Sequence, residues 1–279
     1  QTCALPIFPC DFSDPAVQAF KLAVDIAKMS RGEVVLLNVI ELPVMHESVL
    51  MPTLSFEEAF IKDMKAHAEK NFAKMKDKWA KDEPKVTSIV QFGGATPMVR
   101  DFIKENKIDL VVMGTHGASG LKEFFVGSNT EKIVRTSQVP VIAIKGPVKA
   151  GSIKNIVFPN VLSLEQEELT QKVKALQSFF KATLHVLYVN TPSNFRRDIE
   201  VKKEMKDFAK RFMLKDYTLT IFNDYSEEEG LRNFVVESKA DLVAMSTHGR
   251  RGINHLMSGS IAEDAVNHLT CPIWTYKIS

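Results

Sequence analysis

Residues 109–145 decide the fold, and they read DLVVMGTHGASGLKEFFVGSNTEKIVRTSQVPVIAIK. Both ends of this segment, Asp109–Met113 and Val139–Ile144, are continuous apolar runs, which is typical of parallel strands buried on both faces of a sheet. Between them lie a glycine-containing loop and a stretch that predicts a helix, with Ser128 and Glu131 spaced as a capping box. The segment therefore predicts a strand, a loop, a helix and a second strand of an α/β domain.

The same segment occurs again 132 residues later, at 241–277, as DLVAMSTHGRRGINHLMSGSIAEDAVNHLTCPIWTYK. The first strands of the two halves, around Phe8 and Phe158, match at an offset of 150, so the second half is shorter between its second and third strands. A linker that contains glycine and proline separates the halves near residues 145–152. The repeat predicts a tandem duplication with domains at residues 1–147 and 148–279.

Short apolar runs alternate with helical patterns in each half. In the first half, strands are predicted near 4–9, 33–40, 85–92, 109–114 and 139–145. One helix begins at Ser13–Pro15 and stops at Gly32, and Thr96–Pro97 begin another. A longer helix carries an apolar stripe that we assign to the core, namely Phe56, Phe60, Met64, Ala68, Phe72, Met75 and Trp79. The second half repeats this order, with capping boxes at Ser226/Glu229 and Ser260/Glu263. This alternation predicts two doubly wound α/β domains, Rossmann-like, each with a parallel sheet.

Composition narrows the function classes. The 279 residues are 45% hydrophobic and 25% charged, with 36 Lys+Arg against 34 Asp+Glu, a balance that argues against binding to nucleic acid or to an anionic membrane. The three cysteines form neither a disulfide framework nor a paired metal-ligand motif, and no apolar run approaches the length of a membrane span. A cytoplasmic location is expected from this pattern.

Two loops follow the first and fourth strands of the first half. One is Pro9–Ser13, and the other runs from Gly114 through Gly117 to Gly127 and Ser128. In doubly wound sheets, ligands bind beyond the carboxyl ends of the strands, where the winding reverses. Because a helix N-terminus offers unpaired N–H groups to an anion, the amides of 127–130 are predicted to bind phosphate. The common P-loop and dinucleotide motifs are both absent.

The spacing Gly-x2-Gly-x9-Gly-Ser, placed after a strand that ends in Met-Gly and before a Val-Pro-Val strand, resembles the universal stress protein family. The Pro-x-Asp-Phe-Ser opening at residues 9–13 adds to the resemblance, which covers both halves. It implies five-stranded sheets of the adenine nucleotide alpha hydrolase-like type, and some family members bind ATP. The binding positions that it implies are Pro9, Cys10, Asp11, Val39, Met113, Gly114, Gly117, Gly127, Ser128, Asn129 and Thr130.

The second half departs from this pattern. Ser246 stands where the first half has Gly114, and Val161 stands where it has Asp11, so one carboxylate acceptor is lost. Ile261–Ala262 replace Asn129–Thr130 and remove two side-chain donors, whereas Arg250 and Arg251 add charge. We therefore expect a weaker second site, formed by Gly249, Gly259 and Ser260.

Structural explanations stay open for several of these residues. Ser128 and Ser260 also fit plain helix caps, and Asp11 also fits a loop residue that bonds its own backbone. His116 and His248 lack an evident catalytic partner and are assigned to ordering their loops. Cys10 has no basic neighbour in the sequence, which favours a packing role.

The sequence thus predicts a stress-response regulatory protein that binds ATP or another adenine nucleotide, with or without Mg²⁺, and whose occupied state is read by an unknown protein partner. No catalytic or metal-binding residue is assigned, and efficient catalysis is not expected. Two alternatives stay open, an interaction module without nucleotide and a slow Mg-dependent ATPase in which Asp11 assists. The fifth strands, 139–144 and 272–277, are expected to pair as a pseudo-dimer within the chain, and a homodimer of whole chains stays an open alternative.

Overall fold

The computed structural model describes residues 5–41, 54–115, 127–164, 166–247 and 259–278. The described residues of the first half form strands and helices in this order: β1 (Pro6–Pro9), α1 (Asp14–Ser30), β2 (Val34–Ile40), α2 (Leu54–Trp79), β3 (Val86–Phe92), α3 (Ala95–Glu105), β4 (Leu110–Gly114), α4 (Ser128–Thr136) and β5 (Val141–Ile144). All five strands expected from the sequence of this half are confirmed.

The second half repeats the order. It contains β6 (Asn155–Pro159), α5 (Glu167–Phe180), β7 (Thr183–Asn190), α6 (Asp198–Arg211), β8 (Tyr217–Asn223), α7 (Glu227–Glu237), β9 (Leu242–Ser246), α8 (Gly259–His268) and β10 (Ile273–Tyr276). Short 3-10 helices occur at Ala150–Ser152 in the linker and at Pro192–Asn194 after β7.

One ten-stranded sheet runs through both halves, in the order β3-β2-β1-β4-β5-β10-β9-β6-β7-β8. Within each half the neighbouring strands are parallel, and the first strand lies between the second and the fourth. This is the doubly wound arrangement expected from the sequence, in which the winding reverses beside β1 and beside β6.

The halves join through the fifth strands, as expected. β5 and β10 are antiparallel, with Ile142 opposite Trp274, Ala143 opposite Ile273 and Val141 opposite Thr275. Because Ile142 and Trp274 are equivalent at the offset of 132, a pseudo-two-fold axis passes through this pair. The two halves therefore form a pseudo-symmetric dimer within one chain.

The buried side chains reflect this join. One face of the sheet carries a continuous hydrophobic core, which includes residues of α1, α2, α5 and α6 together with Trp274 and Tyr276. On the other face, α3 and α4 cover one cluster and α7 and α8 cover a separate one. The first face thus packs the halves together, whereas the second face has two separate clusters, and Ala143 of β5 is the first-half residue that joins the cluster under α7 and α8.

Two helix starts follow the capping chemistry expected from the sequence. Ser13 caps α1, where its hydroxyl accepts from the Ala16 amide at 3.3 Å. Ser226 caps α7 and accepts from the Glu229 amide at 3.1 Å. Arg31, the C-cap after α1, adopts a left-handed conformation with φ 56° just before Gly32. Side-chain caps of this kind typically stabilise a helix by about 1 kcal/mol.

The apolar stripe of α2 lies only partly in the core. Ala68, Phe72 and Met75 are buried, but Phe60 is 40% exposed and Met64 is 37% exposed, so their assignment to the core is wrong. The reason is helix length, since α2 has 26 residues whereas α6 has 14 and buries its stripe from Val201 onward. The side chain of Phe56 lies outside the described residues.

The linker packs against the first half. Ala150 and Ile153 are buried, and the Ala150 amide donates to Asp25 Oδ2 on α1 at 3.4 Å. The connection is therefore an ordered part of the structure. Among the described residues, no helix combines the length and hydrophobicity that crossing a membrane requires.

His185 on β7 makes stability depend on pH. Its ring nitrogens lie 2.8 Å from Thr218 Oγ1 and 3.3 Å from Asn155 Oδ1, and burial lowers its pKa below 6.5. The unfolded chain therefore binds more protons at this residue, so stability should fall as the pH drops through 6.5. His185→Gln keeps polar atoms but cannot titrate. Thermal unfolding between pH 7.5 and pH 5 should show a smaller loss in the variant, and an equal loss would contradict this assignment.

Candidate functional site

A cavity of about 310 Å³ opens at the carboxyl ends of β1, β2 and β4. It lies where the winding of the first half reverses, between the first turns of α1, α3 and α4. Its lining includes ten residues expected from the sequence: Pro9, Cys10, Asp11, Val39, Met113, Gly114, Gly127, Ser128, Asn129 and Thr130. The structure thus brings together residues from four separate segments, while Gly117 and His116 lie outside the described residues.

Hydrogen bonds fix the loop after β1. The Cys10 amide donates to the Leu37 carbonyl at 2.8 Å, and Asn38 Nδ2 donates to the Cys10 carbonyl at 2.7 Å. Phe12 then adopts a left-handed conformation with φ 63°, and its ring lies 5.2 Å from that of Phe72 on α2. The chain direction at this loop is therefore set by β2 on one side and α2 on the other.

Asp11 lies at the exposed turn of this loop and lines the cavity. Its Oδ1 accepts from the Ser13 amide at 3.0 Å and from the Ser13 hydroxyl at 2.6 Å. Asp11 thus bonds the backbone of its own loop, which is the structural alternative that the sequence left open for this residue. The two bonds from Ser13 also hold the Asp11 carboxylate at the cavity, where its oxygens can accept a hydrogen bond from a ligand.

Gly114 is required by the close approach of β4 and α1. A Cβ at this position would lie 2.8 Å from the Pro15 carbonyl carbon, 2.8 Å from Pro15 Cβ and 2.9 Å from the Pro15 carbonyl oxygen. The absence of a side chain thus lets the end of β4 contact the first turn of α1. This contact brings the β1 loop and the β4 loop to the same cavity.

The first turn of α4 presents backbone amides to the cavity. The Gly127 amide donates to the Thr115 carbonyl at 2.6 Å, and the Glu131 amide donates to the Gly127 carbonyl at 3.1 Å. The intervening amides of Ser128, Asn129 and Thr130 have no partner within the described part of the chain. These three N–H groups and the positive end of the helix dipole form a region suited to an anion.

Two expectations at this helix need correction. Gly127 is the N-cap and Ser128 is the first helical residue, so Ser128 and Glu131 form no capping box. The Gly127 carbonyl already accepts the first helical bond, and Glu131 instead lies 3.7 Å from Arg135. The Thr130 hydroxyl donates to the Gly114 carbonyl at 2.8 Å, so it stabilises the β4–α4 contact and its proton is not offered to a ligand.

Cys10 is 4% exposed although it lines the cavity. Burial raises the pKa of its thiol to about 12, and its sulfur lies 3.9 Å from Met75 Sδ. The thiol is protonated at neutral pH and is a poor nucleophile. These contacts support the packing role.

Five lining residues were not predicted as site residues, namely Ala16, Leu37, Ala95, Val99 and Ile133. All five are apolar residues of helices and strands. The sequence offers only helical spacing as a signal for these residues. Val99 follows Ala95 by one turn of α3, and Ile133 follows Thr130 on α4. Periodicity assigns such residues to the core, and only the tertiary structure shows that they border a cavity.

The corresponding loop of the second half has the same backbone shape but different chemistry. Leu162 has φ 63°, as Phe12 does, and Val161 occupies the position of Asp11. Asn160 is buried at the position of Cys10. Its Oδ1 accepts from the Leu162 amide at 2.6 Å, and its Nδ2 donates to Gln166 Oε1 at 2.9 Å. This loop therefore presents an apolar side chain where the first half presents a carboxylate.

The neighbouring helix packs tightly on the strand end in the second half. A Cβ on Gly230 of α7 would lie 2.4 Å from Val189 Cγ1, and Val189 corresponds to the cavity residue Val39. α7 thus packs directly against the end of β7. Of the weaker site expected here, Gly259 begins α8, while Gly249, the Ser260 side chain, His248, Arg250 and Arg251 lie outside the described residues.

Comparisons with known proteins agree with this architecture. A sequence profile described as the universal stress protein family matches residues 7–145 and again residues 152–277. A universal stress protein of Methanocaldococcus jannaschii, MJ0531, is 28% identical over 143 residues, which are 51% of this chain and 82% of that protein. Universal stress protein YxiE of Bacillus subtilis is 30% identical over 139 residues, which are 48% of this chain and 94% of that protein.

A solved structure has the same fold over both halves. The crystal structure of a universal stress protein from Archaeoglobus fulgidus superimposes with a TM-score of 0.75 at 18% identity, covering 99% of this chain and 97% of that chain. The tandem arrangement of two α/β halves is therefore shared along the full length.

Proposed function

Because the chain belongs to the universal stress protein family, we propose that it is an adenine-nucleotide-binding regulatory protein whose principal site is the cavity of the first half. The observation that carries the proposal is the meeting of the β1 loop, the β2 end, the β4 end and the α4 start at one cavity. Its volume of about 310 Å³ lies at the lower end of the range of ligand pockets.

The chemistry of the lining fits the parts of such a ligand. Apolar side chains from β2 and α3, including Val39 and Val99, offer a surface for a purine base. Asp11 offers an acceptor for ribose hydroxyls, and the amides at the start of α4 offer donors for phosphate. A Mg²⁺ ion would enter with the phosphates, since no cluster of three potential ligand side chains occurs among the residues described.

Binding with regulation is favoured over catalysis. The described lining holds no histidine, and its one thiol, Cys10, has a pKa raised to about 12 by burial. Apart from the Asp11 carboxylate, the described lining thus holds no candidate general base. In the proposed mechanism Asp11 and the α4 amides bind the nucleotide, and a protein partner recognises the occupied form. The cytoplasmic location stays part of this proposal.

We propose one tight site per chain. The second half has Val161 in place of the carboxylate, and α7 packs against Val189 where the first half has a cavity wall. A ligand hydroxyl left without an acceptor costs roughly 1–3 kcal/mol, about 10- to 100-fold in affinity. The division into domains 1–147 and 148–279 belongs to the same proposal.

Calorimetric titration with Mg–ATP tests the assignment to the first half. Asp11→Asn keeps an oxygen for the Ser13 amide but removes the charge and one acceptor, so we expect roughly 10- to 100-fold weaker binding with an unchanged fold. Gly127→Val should weaken binding strongly, because its side chain would crowd the phosphate-binding region. Gly259→Val is the matched control and should have little effect.

Equal losses from Gly127→Val and Gly259→Val would contradict the ranking of the halves. Two equally occupied nucleotides per chain in a native mass spectrum would contradict the single tight site. The absence of binding at millimolar Mg–ATP would favour the interaction module, and multiple-turnover phosphate release would favour the slow ATPase.

A further inference from the structure

The carboxyl edge of the second half carries three exposed apolar side chains in neighbouring segments. Phe195 is 70% exposed, Ile199 is 75% exposed and Tyr225 is 85% exposed. Phe195 and Ile199 lie between the end of β7 and the first turn of α6, and Tyr225 lies between β8 and α7. We call these three residues the edge surface. Exposed apolar groups that form a contiguous patch are typical of binding surfaces.

A buried asparagine holds the two segments together. Asn190, at the end of β7, is 3% exposed, and its Oδ1 accepts from the Arg196 amide at 2.9 Å. Its Nδ2 donates to the Arg196 carbonyl at 3.2 Å and to Asn223 Oδ1 at 3.1 Å. The Asp224 amide adds a bond to the Asn190 carbonyl at 3.1 Å. Phe195 and Tyr225 are thus each adjacent to a residue that bonds Asn190, so their backbones are fixed relative to one another.

An ion pair with α6 also fixes the segment between β7 and α6. Arg196 makes a bidentate pair with Glu204 of α6, with one of its two bonds at 2.8 Å. Burial raises the pKa of the hydroxyl of Tyr188, a buried residue of β7, and the Arg196 charge acts against this larger effect and lowers the pKa. These contacts make the segment that carries Phe195 and Ile199 part of the rigid α/β framework. A preorganised surface loses little conformational freedom when it binds a partner.

Tyr225 is specific to the second half. In the first half two residues, Gly93 and Gly94, join β3 to α3. In the second half three residues, Asp224, Tyr225 and Ser226, join β8 to α7. The second-half connection is therefore one residue longer and carries the exposed tyrosine, at the edge where the first half has its cavity.

The charge around the edge surface is acidic. Arg196 and Arg197 are paired with Glu204 and Glu200, so their charges are balanced locally. Asp224, Glu227 and Glu228 follow β8 directly and have no cation within ion-pair distance among the described residues. Lys203, one turn after Ile199 on α6, is exposed and also has no ion pair among these residues, so three carboxylates stand against one ammonium group. A partner that covers the aromatic side chains would thus meet uncompensated negative charge.

We propose that the edge surface is the docking site for a basic amphipathic peptide segment of a partner protein. Aromatic residues at the centre of such a contact supply most of the affinity, and the surrounding carboxylates attract the positive charge of the segment. The proposal goes beyond the nucleotide site and does not depend on it, because none of its residues lines the first-half cavity.

Fluorescence anisotropy on the full chain without nucleotide tests this proposal. The probe is a labelled helical peptide about five turns long, with leucines on one face and lysines on the other, and a matched peptide carries glutamate at every lysine position. We expect the lysine peptide to bind and the glutamate peptide to bind at least roughly tenfold more weakly. The double variant Phe195→Ser/Tyr225→Ser should lose at least about tenfold in affinity for the lysine peptide.

The matched control is Met213→Ser/Val236→Ser, which removes two side chains that are 69% and 74% exposed at the opposite edge of the sheet. This control should bind as the unchanged chain does. Equal binding of the two peptides, an equal loss in the control, or no binding at millimolar peptide would each overturn the proposal. It would also be overturned if Phe195→Ser/Tyr225→Ser converted a dimer of the chain to a monomer, because a second copy would then cover this surface.

Discussion

Gly114→Ser is expected to lower the thermal unfolding midpoint by roughly 2–12 °C and to weaken nucleotide binding. The new Cβ would lie 2.8 Å from the backbone of Pro15, which cannot move aside as a flexible side chain can. Overpacking against backbone costs up to about 3 kcal/mol, and each kcal/mol shifts the midpoint of a domain of this size by about 2–4 °C. Displacement of α1 would also move Ser13 and Asp11 away from the cavity. Differential scanning calorimetry with and without Mg–ATP measures both effects.

Gly146→Ser is the matched control, because a Cβ at Gly146 meets nothing within 4 Å. It should leave the midpoint and the affinity nearly unchanged. A Gly114→Ser protein as stable as this control would show that α1 moves away from β4 at little cost. The contact between β4 and α1 would then have no part in shaping the cavity.

The same position shows why the halves differ. Ser246 corresponds to Gly114 and is buried, so the second half accommodates a side chain there. It does so with a later helix start, since α5 begins at Glu167 whereas the offset of 150 from Asp14 predicts residue 164. The early start of α1 thus requires a glycine at position 114, because Pro15 of its first turn lies against that residue.

The sequence predicts the strands well because each is a continuous apolar run between turns. Asp109–Met113 and Val139–Ile144 predict β4 and β5 to within two residues at each end. The internal repeat then fixes the equivalence of the halves and, with it, the pairing of their fifth strands. Local patterns and duplication were sufficient for the architecture.

Contacts between distant segments were not predictable in the same way. The N-cap at Gly127 depends on the path of the preceding loop, which the Ser128–Glu131 spacing does not contain. Phe60 and Met64 have the spacing of core residues, but they are partly exposed. Whether such residues are buried depends on which other elements pack against α2, and the spacing does not contain that information. Ala95 and Val99 border the cavity only because α3 stands beside the end of β2.

The first half alone, residues 1–147, is expected to form a dimer. Removing the second half uncovers the edge of β5, whose residues Val141–Ile144 are all buried in the full chain. Strands with an uncovered apolar edge pair with other chains. The register of β5 with β10 centres on Ile142 and its equivalent Trp274, so two copies of β5 can adopt the same antiparallel pairing, Ile142 opposite Ile142. A closed two-fold dimer is therefore expected and not an open polymer.

Sedimentation equilibrium at high micromolar concentration measures this association, and Ala143→Pro in the same fragment is its control. The Pro140 carbonyl accepts from Val111 of β4, and the Ile144 carbonyl accepts from Thr115, the residue after β4. Backbone groups alternate sides along a strand, so the Ala143 N–H faces β10. Proline removes that donor without removing a bond to β4 and should weaken the dimer, with circular dichroism confirming that the fragment stays folded. Adding residues 148–279 should convert the homodimer into a one-to-one complex, because Trp274 and Tyr276 complete the shared core. A folded fragment that sediments as a strict monomer would show that β5 pairs with β10 only because the linker holds the two halves together.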